Sequence, residues 1–230
     1  MTQLKTTAEE RPYHHGDLQR AILNAAFDVL SESQSTEFSL RELARRAGVS
    51  HNAPYKHFAD KREMLAAVSA VGFERLADEM HKAQVGKTEP RERLMLLMRA
   101  YVRSGVTNPA LYRLMFGGLL TEQGNNRPAI ERTAAFEMRA LIVSAICDGA
   151  IGRAIADTEE ENSRIDTVVL ALWSQVHGLT LLLIDGLVGP VDAADKLVDI
   201  MLQALIDGLS TLPSIVPASV WIGPQTAASQ

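Results

Sequence analysis

The chain has 230 residues, of which 47% are hydrophobic and 22% are charged, and its formal net charge is −5. This length exceeds one small domain and suffices to bury a substantial core, so two domains of unequal size are expected. A single cysteine, Cys147, excludes an intrachain disulfide, and no clustered Cys/His spacing suggests a metal site. We therefore expect a protein of the reducing cytoplasm without metal or other cofactor.

The N-terminal residues 1–16 contain no apolar run, so no secretory signal is expected. A first helix is predicted over residues 17–33, because apolar side chains recur there at spacings of three and four residues. This helix should brace the two that follow it.

Residues 39–62, SLRELARRAGVSHNAPYKHFADKR, predict two short helices joined by a tight turn. Ser39 followed by Glu42 predicts a capping box, in which the Ser39 hydroxyl accepts from the Glu42 amide and the Glu42 carboxylate accepts from the Ser39 amide. Gly48 supplies the left-handed position that ends the first helix, and Ser50 is expected to cap the second. This is the pattern of a helix-turn-helix unit, whose second helix fits the major groove of DNA.

Pro54 affects where that second helix begins. Proline lacks an amide hydrogen, so it removes a helix bond if Ser50 is the cap, and it restrains Ala53 from helical angles. A start one or two residues later is therefore the alternative.

Positive charge is concentrated in the same segment. Residues 39–62 contain six Lys or Arg and two acids, a local net charge of +4, whereas residues 63–230 contain 14 basic and 20 acidic side chains. A basic patch of this kind suits DNA phosphates, because neutralising them releases counterions and favours binding.

The later boundaries are also those of helices. Asp60 with Glu63 predicts a long helix over residues 61–85, and Pro90, Pro109 and Pro128 each mark the start of another. A helix that begins near residues 159–163 and ends at 185 is separated from a last helix, residues 192–212, by a Gly-Pro break. No strand-like alternation stands out.

The predicted fold is therefore all-α. An N-terminal three-helix helix-turn-helix domain is expected over residues 13–60, and a C-terminal helical bundle that dimerises over residues 61–212. Residues 213–230, rich in proline and small residues, are expected to form a flexible tail.

Two parts of the chain resemble a known family. The pattern SLRELARRA followed by GVSHNAPYKHFADKREML resembles the DNA-binding domain of the tetracycline-repressor (TetR) family of bacterial regulators, a likeness that covers about residues 13–68. The segment Trp173-Ser-Gln-Val-His177-Gly178 resembles the Trp-His-Gly signature in the ligand-binding domain of one branch of that family. The opening Tyr13-His14-His15-Gly16-Asp17-Leu18 resembles that branch's entry to its first helix.

Nine residues are candidate DNA contacts. The resemblance implies contacts from Tyr55 and Arg41, which match contacting positions of the family. Lys61 lies in the first turn of its helix, where a cation gains nothing from the helix dipole, so we interpret it as a phosphate ligand. Asn52 and Lys56 have the chemistry to read base edges. The set is completed by Ser50, His51, Ala53 and His57, and a packing or solvent-exposed role is the alternative for each.

A ligand site is expected in the larger domain. Trp173 and His177 are four residues apart on one helix face, so their rings are neighbours and could line a cavity; packing in the core or the dimer is the alternative. Tyr101, Met115, Phe116 and Phe136 are further candidates, because aromatic and soft apolar side chains form the walls of small-molecule sites. They are also ordinary core residues.

The last two predicted helices carry an apolar surface that short connections leave partly uncovered. Packing this surface on a second copy gives a two-fold dimer, which also places two reading helices about 34 Å apart or a multiple of that. Leu181, Leu197, Met201 and Leu205 are the candidate interface residues. A hairpin buried within a monomer is the alternative.

Residues 167–184 carry no charge and reach the length of a membrane-spanning helix. Ser174, Gln175, His177 and Thr180 lie in the middle of this stretch, where polar groups are costly in lipid. A buried helix of a bundle is therefore expected, and no membrane partner.

These observations predict a homodimeric transcriptional regulator in the cytoplasm. The simplest form is a repressor that binds a palindromic double-stranded DNA operator and is released by a small apolar effector. A non-catalytic ligand-binding or adaptor protein, and an activator of the same fold, are the alternatives. An enzyme is not expected, because the sequence has no Gly-rich phosphate loop, nucleophile elbow or metal-ligand pair on a helix.

Overall fold

The computed structural model describes residues 15–33, 35–117, 129–151 and 159–209, which contain α-helices, two short 3-10 helices and no strand. The α-helices are α1 (His15–Ser33), α2 (Leu40–Arg46), α3 (Lys61–Gln84), α4 (Pro90–Thr107), α5 (Pro109–Phe116), α6 (Ala129–Cys147), α7 (Glu159–Ile184) and α8 (Ala194–Leu209). The 3-10 helices are Pro54–Lys56 and Val191–Ala193. The all-α prediction is confirmed, while Tyr13, His14 and the predicted tail lie outside the described residues.

The chain divides into two compact units, Met1–Met64 and Leu65–Gln230, and the boundary falls within α3. In the first unit, α1 packs against α2, and α2 contacts the 3-10 helix Pro54–Lys56. Its core contains Ile22, Leu43 and Phe58, which are at most 2% exposed. We call this unit the head.

The second unit is organised around α4, which contacts α5, α6, α7 and α8. Leu94, Leu97 and Met98 of α4 are fully buried, and the continuation of α3 contributes Phe73 and Met80 to the same core. We call this unit the regulatory domain.

Three ion pairs join α4 to α8: Arg91 with Asp207, Arg99 with Asp199, and Arg103 with Asp195. The partners advance by eight and then four residues along α4 while they retreat by the same steps along α8. The two helices are therefore antiparallel and held in one register along this edge.

Helix α7 is the one helix in the described ranges whose length and composition would allow it to cross a membrane, over Ile165–Ile184. Core helices of soluble proteins pass the same test. Here α7 packs against α4, α6 and α8, and Leu172, Val176, Leu179 and Leu183 along it are buried. These contacts agree with the expected bundle helix.

Candidate functional site

Residues 39–62, the predicted helix-turn-helix, are called the reading segment. Its first helix, α2, is fixed by its N-terminal cap. The Ser39 hydroxyl accepts a hydrogen bond of 3.1 Å from the Glu42 amide, as predicted. The Glu42 carboxylate, instead of reaching back to Ser39, accepts hydrogen bonds from Arg45 and Arg46, which lower the pKa of Glu42 to about 2. Arg46 also donates to Glu32 over 2.6 Å. All three arginines of this helix are exposed, and Arg45 and Arg46 are engaged in ion pairs.

The turn after α2 depends on Gly48, which adopts a φ of +68°. Residues other than glycine rarely take this left-handed conformation, so Gly48 can reverse the chain where a bulkier residue would be strained. The Val49 amide then donates to the Ala44 carbonyl over 2.9 Å and closes the turn.

The prediction of a second α-helix capped by Ser50 was wrong. The regular part is the 3-10 helix Pro54–Lys56, whose N-cap is Ala53, and Ser50 contributes its carbonyl as acceptor for the Ala53 amide at 2.9 Å. The missing amide hydrogen of Pro54 explains the late start. The expected restraint on Ala53 was wrong, because Ala53 adopts helical angles, with φ −61° and ψ −42°. The Pro54 carbonyl then accepts from His57 and Phe58, which compacts the segment into a single tight turn.

This turn separates its side chains into two sets. Pro54 and Phe58 are buried in the head, and Ala53 is only 6% exposed, so the methyl group of Ala53 does not face solvent as a DNA contact would. His57 is half-buried, with its Nε2 atom inside the head. The exposed side chains are those of Ser50, His51, Asn52, Tyr55 and Lys56.

Lys61 begins α3 directly after this surface. Asp60 caps α3 by accepting from the Glu63 amide over 2.8 Å, and the Glu63 carboxylate accepts from the Ala59 amide over 2.6 Å, as the predicted capping box requires. The Lys61 ammonium lies 5.1 Å from the centre of the Phe38 ring, a cation–π distance. Lys61 is thus held at the edge of the exposed surface.

A second candidate site lies in the regulatory domain, where α4, α5 and α7 bring five rings together. They belong to Tyr101, Tyr112, Phe116, Trp173 and His177, and we call them the aromatic cluster. The Trp173 and His177 ring centres are 5.4 Å apart, as their spacing predicts, and Tyr112 lies 5.4 Å from His177 and 4.7 Å from Phe116.

The polar atoms of the aromatic cluster form a connected network. The Trp173 indole nitrogen donates to the Tyr101 hydroxyl over 3.1 Å, and the Tyr101 and Tyr112 hydroxyls are 3.1 Å apart. The Tyr112 hydroxyl lies 2.6 Å from His177 Nδ1, and the Tyr101 hydroxyl lies 3.2 Å from the same atom.

Burial fixes the protonation states of this network. It raises the pKa of Tyr101 well above its ordinary value and raises that of Tyr112 to about 12, while it lowers the pKa of His177. At neutral pH both phenols therefore keep their protons and the imidazole is uncharged.

Gly105 allows the aromatic cluster to assemble. A β-carbon at this position of α4 would lie 2.9 Å from the Tyr112 ring and would collide with the Thr180 side chain of α7. Only glycine lets α5 and α7 approach α4 this closely, so this small residue positions Tyr112 beside Tyr101.

The structure brings most of the predicted pocket residues together but not all of them. Tyr101, Phe116, Trp173 and His177 lie in the aromatic cluster, and Met115 is buried next to it on α5. Phe136 lies outside the aromatic cluster, with its side chain 66% exposed on α6, so its place in a pocket stays a prediction. Tyr112 was missed, although it stands four residues before Phe116 and therefore on the same helix face.

The predicted interface residues lie on α7 and α8. Leu181, Leu197, Met201 and Leu205 are half-buried at the margin of the core. Ile200, which the sequence did not single out, is 58% exposed between them. We call these five partly or largely exposed apolar residues the outer face.

Comparison with known proteins finds a family match in the N-terminal part of the chain and another in the C-terminal part. The family described as "Bacterial regulatory proteins, tetR family" matches residues 22–68, and "Tetracyclin repressor-like, C-terminal domain" matches residues 94–205. The transcriptional regulator BetI of Rhizobium meliloti (strain 1021) is 29% identical over 86 residues, which cover 37% of this chain and 42% of BetI. The chain thus matches less than half of the length of BetI.

Solved structures match over most of the chain. A protein of unknown function from Rhodococcus sp. RHA1 has 29% identity and a TM-score of 0.69, over 87% of this chain and 100% of that one. The transcriptional regulator FadR from Bacillus subtilis, solved in complex with stearoyl-CoA, shares the fold with 15% identity and a TM-score of 0.62, over 82% of this chain and 98% of FadR. The head and the regulatory domain each match the same family, and the chain therefore belongs to the TetR family of bacterial transcriptional regulators.

Proposed function

We propose that the protein is a homodimeric repressor of the cytoplasm that binds a palindromic operator and is released from it by a small apolar effector. The observation that carries the proposal is a set of polar and basic side chains on the buried hydrophobic support of the head. We call this set the reading surface: it comprises the exposed Arg41, Ser50, His51, Asn52, Tyr55 and Lys56, with the partly exposed Lys61 at its edge. Regulators of this family bind DNA operators and small-molecule effectors, typically as dimers.

The exposed side chains of the reading surface divide by chemistry. Asn52 and Lys56 can donate to base edges in the major groove, adenine for the amide and guanine for the ammonium group, and His51 lies beside them. Arg41, Tyr55 and Lys61 are proposed to bind DNA phosphates. A long cationic side chain or a phenol at the edge of the major groove reaches the sugar-phosphate backbone more readily than the bases. Ser50 adds a hydroxyl at the same edge.

The outer face supports a dimer. Ile200 is 58% exposed on a helix whose neighbours Leu197, Met201 and Leu205 are only half-covered. A second copy related by a two-fold axis would cover this surface with the same surface, which is the commonest closed arrangement. The same axis would present two reading surfaces to the two halves of a palindrome.

The effector site is proposed at the aromatic cluster, with the core residue Met115 beside it. Phe116 of the aromatic cluster lies 5.1 Å from the Phe73 ring of α3 in an edge-to-face contact. A molecule that displaces Phe116 would therefore act on α3, the helix that continues into the head and begins at Lys61. Release requires that the effector bind the conformation with wrongly spaced heads more tightly than the one that fits the operator.

Binding to the DNA that flanks the encoding gene tests the proposal. In a gel-shift titration, we expect affinity to fall steeply with salt, by about 0.9 in log K per neutralised phosphate for each unit of log salt. The variant Lys56→Ala should bind more weakly, whereas Lys82→Ala, an exposed lysine at the far end of α3, should match the parent protein. A salt slope near zero, or equal effects of both variants, would contradict DNA binding through this surface.

A further inference from the structure

The outer side of α2 carries one acid among three arginines. This helix buries its apolar side chains in the head, which leaves Arg41, Glu42, Arg45 and Arg46 partly or fully exposed. Arg41 and Arg45 are four residues apart, so they are neighbours on one face of the helix. The first helix of a helix-turn-helix unit crosses the DNA backbone. An exposed cation on this face is therefore a candidate phosphate ligand.

Glu42 binds two of these arginines. Its Oε1 atom accepts from Arg45 Nη2 over 2.7 Å and from Arg46 Nε over 3.0 Å, and its Oε2 atom accepts from Arg45 Nε over 3.1 Å. The contact with Arg45 is thus bidentate, the geometry in which a guanidinium and a carboxylate fit each other best. The hydrogen bonds from Arg45 and Arg46 lower the pKa of Glu42 to about 2, so the carboxylate is charged at neutral pH.

Arg46 has a second acidic partner, whereas Arg45 depends on Glu42. Arg46 Nη1 donates to Glu32 of α1 over 2.6 Å, so Arg46 keeps an ion pair when the charge of Glu42 is removed. Among the described residues Arg45 is paired with Glu42 alone, and its side chain is 72% exposed. Loss of the Glu42 charge would therefore release one cation, which is Arg45.

The ion pairs make this part of α2 electrically neutral. Arg45 and Arg46 contribute two positive charges, and Glu42 and Glu32 contribute two negative charges. A DNA phosphate that approaches Arg45 meets a guanidinium that is already neutralised, with a carboxylate of its own sign beside it. Affinity for DNA grows when net positive charge replaces the counterions at the phosphates. Arg45 therefore adds little to DNA binding while Glu42 holds it.

We infer that Glu42 lowers the affinity of the head for DNA of any sequence, because it keeps Arg45 from binding the phosphate backbone. Phosphate contacts carry no sequence information directly. Glu42 thus controls how tightly the head holds DNA and leaves the choice of operator to the side chains that face base edges. This inference rests on the proposed function, since it takes the head to bind DNA through the reading surface.

The variant Glu42→Gln tests the inference in the full-length protein. It removes the charge and keeps the backbone amide that donates to the Ser39 hydroxyl, so the cap of α2 is retained. One more neutralised phosphate should steepen the slope of log K against log salt by about 0.9 for each head, or about 1.8 for the proposed dimer. Because this gain fades towards 1 M salt, affinity at 0.1 M salt should rise about eightfold for each head.

Two duplexes show whether the gain depends on sequence. One is the DNA that flanks the encoding gene, and the other has the same length and composition in shuffled order. Glu42→Gln should raise the affinity for both by the same factor, since a phosphate contact is available on any duplex. An unchanged salt slope, or a gain confined to one of the duplexes, would overturn the inference.

Glu37→Gln is the matched control for the loss of a negative charge. Glu37 is an exposed acid of the head, five residues before Glu42, and it takes part in none of the ion pairs found among the described residues. Its replacement releases no arginine, so the salt slope should stay at the parent value. Equal increases in slope for Glu37→Gln and Glu42→Gln would attribute the effect to net charge and overturn the role of Glu42.

Substitution of Arg45 identifies the released cation. Arg45→Gln alone should leave the salt slope unchanged, whereas Arg45→Gln added to Glu42→Gln should return the slope to the parent value. If Arg45→Gln alone lowers the slope by about 0.9 for each head, Arg45 already binds a phosphate beside Glu42 and the inference fails. It fails as well if the gain persists in the double variant, because another cation would then cause it.

The slope of the parent protein separates this inference from the proposed function. A parent slope near zero would contradict DNA binding through the reading surface, and the role of Glu42 with it. A steep parent slope that Glu42→Gln does not change would leave DNA binding intact and overturn the role of Glu42 alone.

Discussion

The outer face makes a quantitative prediction about assembly. Full burial of a large aliphatic side chain is worth about 1.5–3 kcal/mol, and the exposed share of Ile200 is 58%, so covering it contributes about 1–2 kcal/mol per protomer and about 2–3.5 kcal/mol per dimer. The variant Ile200→Glu loses this contribution and adds two unpaired carboxylates to an apolar seam, at a cost of several kcal/mol more. We expect the dimer dissociation constant to rise by at least about 20-fold.

Sedimentation velocity over a range of protein concentrations measures this constant, and circular dichroism checks that helix content is kept. A substitution at Ile200 tests the interface more directly than one at Leu205, because Leu205 is half-buried in the single chain and its replacement also affects folding. The control is Thr88→Glu, which adds the same charge at an exposed position before α4. Equal dissociation constants for the two variants would show that the outer face is not the dimer interface.

Three further predictions concern DNA binding, folding and pH. Lys61→Ala should weaken binding to all duplexes about equally and lower the salt slope by about one, whereas Lys56→Ala should change preference at particular base pairs; selection from a random duplex library distinguishes the two. Phe58→Ala, at 2% exposure, should cost about 3–5 kcal/mol of unfolding free energy in urea titrations, whereas Phe136→Ala, at 66% exposure, should cost about 0.5 kcal/mol or less; similar costs would contradict the assigned burial. Burial lowers the pKa of His177 in the folded state, so the unfolded chain binds the proton first as pH falls below about 6.5. Stability should therefore decrease between pH 7.5 and 5.5 more in the parent protein than in His177→Asn, and parallel curves would refute this.

Local sequence determined where α2, α3, α4 and α5 begin. The hydroxyl of Ser39 and the carboxylate of Asp60 bind amides three residues ahead, and Pro90 and Pro109 stand at the first positions of their helices. Each signal acts within one helical turn, so it can be read without knowing the rest of the fold. Pro54 was a signal of the same kind, and its effect on the reading segment was foreseen as an alternative but not in its 3-10 form.

Only the tertiary structure decided which helix faces meet. Tyr112 and His177 are 65 residues apart in sequence but lie within hydrogen-bond distance, because Gly105 lets α5 and α7 close on α4. The Arg–Asp pairs between α4 and α8, and the exposure of Ile200, are likewise consequences of how the helices cross. Helical periodicity shows that a face is apolar, but several apolar faces compete for the same core, and their close packing over long sequence separations selects among them.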